Sequence, residues 1–181
     1  MSSSSKTLST TQVLACGAAI LMLSMGVRHG FGLWLQPITQ AHDWSRETFS
    51  MAIAIQNLAW GVAGIFVGMT ADRFGAFRVL IGGALCYALG LMGMAQASTP
   101  MLFMLGAGVL IGIAQAGTTY AVVYGVIGRN VSLQRRSWAM GVAGAAGSFG
   151  QFLMMPTDGF LIRQFGWAQA LVLLGLACLL M

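Results

Sequence analysis

Arg28 is the residue of this sequence best suited to bind a charged ligand, because it lies inside a long apolar stretch at residues 12–37. A charged side chain near the centre of a bilayer costs at least about 2.5–3.5 kcal/mol, so it must face a cavity or a partner. A guanidinium in a cavity can bind both oxygens of a carboxylate. A structural ion pair, or a side chain extended to the outer interface, is the alternative role for Arg28.

Two further ionisable side chains lie within apolar stretches. His29 adjoins Arg28 on a different face of the helix, and an imidazole can carry a proton near neutral pH. A structural hydrogen bond is the favoured role for His29. Asp158 lies near Pro156 and Gly159, towards the outer end of a predicted helix. It can titrate or pair with a basic group, and we favour a structural or gating role.

Uncharged polar side chains in the apolar stretches can line a ligand path. Tyr120 and Tyr124 lie one helical turn apart and can form one wall of a cavity. For the amide and hydroxyl groups, hydrogen bonds between helices are an equally good explanation. The candidates are Gln56, Asn57, Gln115, Thr118, Thr119, Tyr120, Tyr124, Ser148 and Gln151.

Scarce charge is concentrated in the stretch GMTADRFGAFR, residues 68–78, between two apolar runs. Gly68 has no side chain, which lets another helix approach its backbone. Asp72 can lie against the positive N-terminal end of a neighbouring helix, a contact worth about 0.3–2 kcal/mol. Arg73 and Arg78 can pair with acidic groups or lipid phosphates. The stretch is either a weak contact that opens and closes or a solvated turn that only sets topology.

The composition excludes a water-soluble globular domain. Charged residues make up 7% of the 181 residues and hydrophobic residues 57%. A soluble domain carries about 25% charged residues, so most of this chain must face lipid. The formal net charge is +5, but the basic residues lie in short gaps between apolar stretches. Without a basic face, nucleic-acid binding is excluded.

The sequence also lacks the patterns of an enzyme or a metalloprotein. Cys16, Cys86 and Cys178 lie in three separate apolar stretches without the spacing of metal ligands. No glycine-rich phosphate loop follows a strand pattern. The GSFG string around Ser148 has no histidine and aspartate at convincing positions for a membrane protease. We therefore expect no catalytic residues, no metal and no cofactor.

Six apolar stretches predict an all-α membrane protein. The first five can cross about 30 Å of hydrocarbon as helices, which satisfy their own backbone groups. The sixth reaches only about 22 Å at the helical rise, so we expect it to be truncated and more protein to follow. Residues 1–11 are predicted to be a disordered tail. The predicted helices span approximately 12–37, 46–71, 78–97, 101–128, 137–162 and 167–181.

Local signals mark where several of these helices begin and end. Ser45 is a predicted N-cap. Thr99 and Pro100 are predicted as the N-cap and first residue of the fourth helix. Gly75 and Gly166 suit tight turns between helices.

The distribution of Lys and Arg predicts that the N-terminus is cytoplasmic. In that orientation Arg46 and Arg163 lie outside and Arg28 lies within the membrane. The remaining basic residues are all cytoplasmic: Lys6, Arg73, Arg78, Arg129, Arg135 and Arg136.

An internal repeat of about 90 residues is visible in the basic residues. Three helices per repeat place equivalent positions on opposite membrane faces, which is the inverted three-plus-three pattern of many transporters. The offset of 90 pairs Arg46 with Arg136, Arg73 with Arg163, and Arg28 with Thr118.

Gly68, Asp72, Arg73, Gly75 and Arg78 resemble the signature loop of the major facilitator superfamily, a glycine followed by Asp-Arg-x-Gly and a basic residue. The strings FGLWLQPITQAHDWSRETFSMAIAIQNLAWGVAGIFVGMTADRFGAFRVLIGG and RRSWAMGVAGAAGSFGQFLMMP are similar to bacterial members close to the monocarboxylate transporters and oxalate–formate exchangers. The resemblance covers nearly all of the chain beyond the tail and corresponds to the N-terminal six-helix half of the family fold.

The resemblance implies a secondary active transporter in the plasma membrane, by analogy the bacterial inner membrane. Its cargo would be a small organic anion such as a monocarboxylate, moved by proton symport or exchange. In the family fold, helices one and four line the cavity, which would place Arg28 and Thr118 near the ligand. The loop at Asp72 would latch the cytoplasmic side against the C-terminal half, although Phe77 stands where related members often have a basic residue.

The implied partners are the anionic substrate, protons, membrane lipids and the missing C-terminal six-helix half. If transport is coupled to protons, the main coupling carboxylate is expected in that second half. The alternatives are a drug or sugar porter of the same superfamily, or a non-transporting membrane protein or inert fragment. The glycine-proline signature of drug antiporters is not intact, since Pro156 falls too late in helix five.

Overall fold

A computed structural model describes residues 9–181, and every regular element in that range is helical. The prediction of an all-α fold is confirmed, and the bundle is consistent with the N-terminal half of the major facilitator fold. Residues Met104–Leu110 form a π-helical stretch. The α-helices are α1 (Thr10–His29), α2 (Phe31–His42), α3 (Arg46–Phe74), α4 (Ala76–Ala95), α5 (Pro100–Phe103), α6 (Ile111–Thr118), α7 (Tyr120–Asn130), α8 (Leu133–Phe165) and α9 (Trp167–Cys178).

The first helix begins earlier than the sequence predicts. Ser9 accepts a hydrogen bond from the backbone of Gln12, and the Gln12 side chain accepts one from the Ser9 backbone. This capping box satisfies two free amide groups, so residues 10 and 11 are helical rather than part of the predicted tail. Residues 1–8 of the predicted tail, including Lys6, lie outside the described residues.

The predicted caps and turns are confirmed. The Ser45 hydroxyl accepts from the Thr48 backbone, and Thr99 caps the helix that Pro100 opens. Gly75 and Gly166 adopt φ values of 90° and 78°, a region that disfavours residues with a side chain. They allow α3 to turn into α4 and α8 into α9 without a longer loop.

Two helices that the sequence predicts as continuous are interrupted. The first segment, α1 with α2, breaks at Gly30, where Leu33 donates to the Gly30 carbonyl in a tightened turn. The fourth segment, from α5 to α7, breaks at Thr119, whose backbone is extended (φ −108°, ψ −166°). The breaks lie 89 residues apart (30 to 119), close to the repeat offset. Interrupted helices at matching positions are typical of transporter half-repeats.

Within residues 9–181, four helical stretches are long and apolar enough to cross a membrane: Thr10–His29, Arg46–Phe74, Ala76–Ala95 and Pro100–Asn130. The fifth segment, α8, has 33 residues and is less apolar because glycine and polar residues are frequent in it. The last helix, α9, is apolar and has 12 residues.

The largest cluster of buried apolar side chains lies where the first, second, third, fourth and sixth segments meet. Trp34, Tyr87 and Phe103 are fully buried there, together with Leu171 of α9. The outer surfaces of α3 and α8 are instead apolar and exposed, as expected for contact with lipid or a partner. The exposed side chains include Leu58, Ile65, Phe66, Trp138, Phe149, Phe152 and Phe160.

The glycines of α3 and α8 pack differently. A methyl group added at Gly61, Gly64 or Gly68 would meet nothing within 4 Å. Gly147 and Gly150 are buried, and a methyl group at Gly150 would overlap the backbone of Met22 in α1. Gly147 and Gly150 therefore serve close packing inside this bundle, while Gly61, Gly64 and Gly68 of α3 form an open surface.

Candidate functional site

The side chain of Arg28 turns from α1 towards α3. Its Nη2 donates to Asn57 Oδ1 at 2.7 Å, and its guanidinium carbon lies 4.6 Å from the centre of the Trp60 ring. Both partners are uncharged, and among residues 9–181 no carboxylate forms an ion pair with Arg28. Its Nε is buried without a partner in the described part of the chain. The structure therefore presents a partly buried positive charge that is oriented but not neutralised.

Arg28 and Asn57 were separate candidates in the sequence, and the structure brings them together. Trp60 was missed. The available signal was its spacing, because residues three apart on a helix share a face, so an aromatic ring next to Asn57 was to be expected. His29, by contrast, is exposed, and its side chain points in a different direction from that of Arg28 because the two residues are adjacent on a helix.

A second group of polar candidates is fully buried between α3 and α6. Gln56 donates to the Ala107 carbonyl in the π-helical stretch at 2.8 Å and accepts from Gln115 Nε2 at 3.4 Å. Gln115 Oε1 has no partner among the described residues. For Gln56, the alternative of an interhelical hydrogen bond fits this geometry better than contact with a ligand.

Thr118 joins the first and fourth segments directly. Its hydroxyl lies 2.9 Å from that of Ser24 in α1 and also bonds the Ala114 carbonyl. The Tyr87 hydroxyl donates to the Ser24 carbonyl. The buried contact between Thr118 and Ser24 therefore supports the helix break at Thr119. Ser24 lies four residues before Arg28 in α1.

Tyr120 and Tyr124 lie side by side on one face of α7. Their ring centres are 5.4 Å apart. The Tyr124 hydroxyl would lie 2.8 Å from a methyl group at Gly144, and the Tyr120 hydroxyl 3.0 Å from one at Gly147. The glycine face of α8 therefore makes room for both phenol groups.

The remaining candidates on α8 lie in different environments. Ser148 is exposed and Gln151 half-buried. Asp158 is fully buried, and neither of its oxygens has a partner within the described residues. Its carboxyl group lies against Gly30, at the break of the first segment, where an added methyl group would overlap it.

The 68–78 stretch, which is helical on both sides of Gly75, takes part in an ion pair that the sequence did not predict. Asp72 accepts from Arg129 Nη1 at 3.0 Å, which ties the end of α3 to the end of α7. The guanidinium of Arg73 lies 5.2 Å from the centre of the Phe74 ring. Arg78 and Phe77 are exposed. The sequence did contain a signal for this ion pair. Arg129 lies at the end of the fourth segment, which the predicted topology places on the same side of the membrane as Asp72.

We expect this ion pair to contribute little to stability. Both side chains are largely exposed, at 77% for Asp72 and 49% for Arg129. A double-mutant cycle of Asp72→Asn and Arg129→Gln, measured by thermal unfolding in detergent, should give a coupling of about 0.2–1 kcal/mol. A coupling free energy several times larger would contradict the view that the contact between Asp72 and Arg129 breaks easily.

An apolar cavity of about 600 Å³ lies beside this loop, away from Arg28. Asp72 and Arg129 contribute its polar edge, and Val13, Gly17 and Leu80 are among its apolar lining. Its size alone does not make it a substrate site, because its walls offer few polar groups to orient a small polar ligand.

Comparison with known proteins decides the family. The sequence model of the family described as Major Facilitator Superfamily matches residues 14–181. The chain belongs to the major facilitator superfamily. Members of this transporter superfamily are integral membrane proteins, in agreement with the apolar helices described above. The resemblance based on the 68–78 loop and its neighbouring strings is thereby confirmed.

Several curated relatives of this superfamily member are mammalian. It is 31% identical over 167 residues to Monocarboxylate transporter 11 of Mus musculus, covering 90% of this chain and 36% of that protein. It is 26% identical over 158 residues to Monocarboxylate transporter 14 of Homo sapiens, covering 85% and 30%. Over 97 residues it is 32% identical to Monocarboxylate transporter 12 of Rattus norvegicus, covering 54% and 19%. The chain thus spans about a third of the length of the first of these relatives.

Proposed function

We propose that this superfamily member forms the N-terminal half of a secondary active transporter for a small monocarboxylate, and that Arg28 binds the carboxylate of the cargo. The observation that carries this proposal is the set of Arg28 contacts. The guanidinium is held by the Asn57 oxygen and the Trp60 ring, neither of which removes its charge. An anion can therefore supply the missing countercharge.

The contacts also leave Arg28 donors for a ligand. Asn57 accepts from one terminal nitrogen, Nη2, and a guanidinium has five N–H groups in total. A carboxylate accepts two parallel N–H bonds from such a fork. The Trp60 face holds the guanidinium plane in place by cation–π attraction, which reduces the entropy lost when the ligand binds.

The alternative role of Arg28, a structural ion pair, receives no support from the described residues, because Asn57 is neutral. The names of the relatives favour a monocarboxylate over a drug or a sugar. A drug or sugar porter and a non-transporting membrane protein are the outcomes that the test below must separate from this proposal.

The proposal includes the remaining parts of a complete transporter. We propose a second six-helix half that packs against the open apolar faces of α3 and α8. The 68–78 loop would latch the cytoplasmic side against that half, and Tyr120, Tyr124 and Gln151 would face the shared cavity. The proposed setting is a bacterial inner membrane with a cytoplasmic N-terminus, and the proposed driving force is proton symport or exchange.

Uptake by proteoliposomes tests the function. The complete gene product would be reconstituted and supplied separately with labelled L-lactate, glucose and a cationic dye. We expect saturable uptake of L-lactate that an unlabelled monocarboxylate inhibits, with glucose and the dye no faster than in protein-free vesicles. Uptake of glucose or the dye alone would replace the proposal with a sugar or drug porter, and no uptake of any probe would favour a non-transporting protein.

A further inference from the structure

Asp158 is a buried carboxyl group that the described helices enclose completely. Its exposed fraction is zero in this six-helix unit alone. A second half that packs on the outer faces of α3 and α8 therefore cannot reach the side chain in this conformation. The groups that surround it belong to this chain.

Those groups provide no countercharge. From the first segment, Gly30 lies against the carboxyl group, while the adjacent Arg28 points to α3 and His29 is exposed. From α9, the titratable neighbour is the Cys178 thiol. On α8 itself, Arg163 is exposed, and no basic side chain in residues 9–181 forms an ion pair with Asp158.

An ionised carboxylate in such a place is strongly unfavourable. Neither oxygen of Asp158 accepts a hydrogen bond from the described residues. A buried, unpaired charge carries a desolvation penalty that hydrogen bonds or a cation normally offset, and the group instead takes up a proton. The neutral acid is the form that this packing accommodates.

The packing also links the proton to helix movement. Gly30 is the break between α1 and α2, and its surface is in direct contact with the carboxyl group. Separation of the first segment from α8 at this point would open a path for water to Asp158. The segment that must move carries Arg28, two residues before Gly30.

We propose that Asp158 is a proton-binding site of this transporter, neutral in the conformation described here and ionised when the first segment separates from α8 at Gly30. In the reaction one O–H bond forms on the carboxylate as one O–H bond of a hydronium ion breaks and leaves water. The inference rests on the proposed transport function for its coupling role, but not for the protonation itself. It differs from the expectation that the coupling carboxylate lies in the second half.

Infrared spectroscopy tests the protonation without any cargo. The complete gene product, purified in lipid near neutral pH, would be compared with Asp158→Asn, whose amide is nearly isosteric with the neutral acid. We expect the difference spectrum to contain the carbonyl stretch of a protonated carboxyl group. The matched control, Asp43→Asn, removes an exposed carboxyl group and should leave the band assigned to Asp158 in place. An ionised Asp158 band would overturn the proposal.

Transport then tests the coupling. A one-unit pH gradient, acid outside, should raise the accumulation of labelled L-lactate by up to about tenfold in the wild type, since one pH unit is a tenfold ratio in proton activity. We expect Asp158→Asn to lose this stimulation while it still exchanges internal for external lactate. Full stimulation in Asp158→Asn would overturn the coupling role and leave the proposed function intact. A protonated Asp158 in a wild type that moves no lactate would refute the proposed function and support the proton site.

Discussion

Arg28→Gln in the complete gene product should raise the concentration of L-lactate needed for half-maximal uptake by about 30-fold or more. Removing one partner of a desolvated charge pair costs about 2–5 kcal/mol, and each 1.4 kcal/mol is a factor of ten. Glutamine keeps a hydrogen bond to Asn57 within reach but removes the positive charge. Initial uptake rates over a range of lactate concentrations give the result.

Two matched variants separate this effect from a general loss of charge. Arg46→Gln removes a positive charge at the start of α3, outside the proposed site, and should leave uptake close to that of the wild type. Arg28→Lys keeps the charge but loses the two-pronged geometry, so we expect an intermediate loss. Equal uptake by Arg28→Gln and the wild type would remove Arg28 from the binding site.

Gly150→Ala should strongly destabilise the packing of α1 against α8. The added methyl group would overlap the backbone of Met22, which cannot rotate away as a flexible side chain can. Overpacking of this kind costs about 1–3 kcal/mol or more, and here it also separates α1 from α8. We expect a clear drop in the melting temperature of the detergent-solubilised protein and a lower yield of monodisperse material.

Gly64→Ala is the matched control for this prediction. Nothing lies within 4 Å of a methyl group at that position, and α3 continues through it as a regular helix. Alanine is a better helix former than glycine by about 1 kcal/mol, so Gly64→Ala should not destabilise the six-helix unit on its own. Similar melting temperatures for Gly150→Ala and Gly64→Ala would show that α1 and α8 are not packed as described.

The sequence predicts the parts of this fold that depend on neighbouring residues in the chain. Ser45 and Thr99 cap helices because their hydroxyl groups reach backbone amides only three residues away. Gly75 and Gly166 turn the chain because the required backbone angles exclude most other residues. These signals are local, so they can be interpreted before the tertiary structure is known.

The helix breaks could not be predicted in the same way. Gly30 and Thr119 both lie inside apolar stretches without local stop signals strong enough to end a helix. The first break lies against Asp158, and the second follows Thr118, which bonds to Ser24. Both depend on contacts with residues about 90 or more positions away, which the local pattern does not contain.

The candidate site was predictable only one residue at a time. A charge in an apolar stretch identified Arg28, and polar groups in such stretches identified Asn57 and Gln56. Which of them would meet was not predictable, because adjacent residues on a helix point in different directions. The structure separates Asn57, which holds Arg28, from Gln56, which bonds the Ala107 carbonyl.

The most direct test of the account is whether the binding site recognises the negative charge of its cargo. Calorimetric titration of the complete wild-type protein with L-lactate and with its neutral amide, lactamide, measures this. The account predicts that lactate binds at least about tenfold more tightly, because a charge-assisted pair with Arg28 is worth more than a neutral hydrogen bond by about 1.4 kcal/mol or more. Equal affinity for the acid and the amide would contradict it.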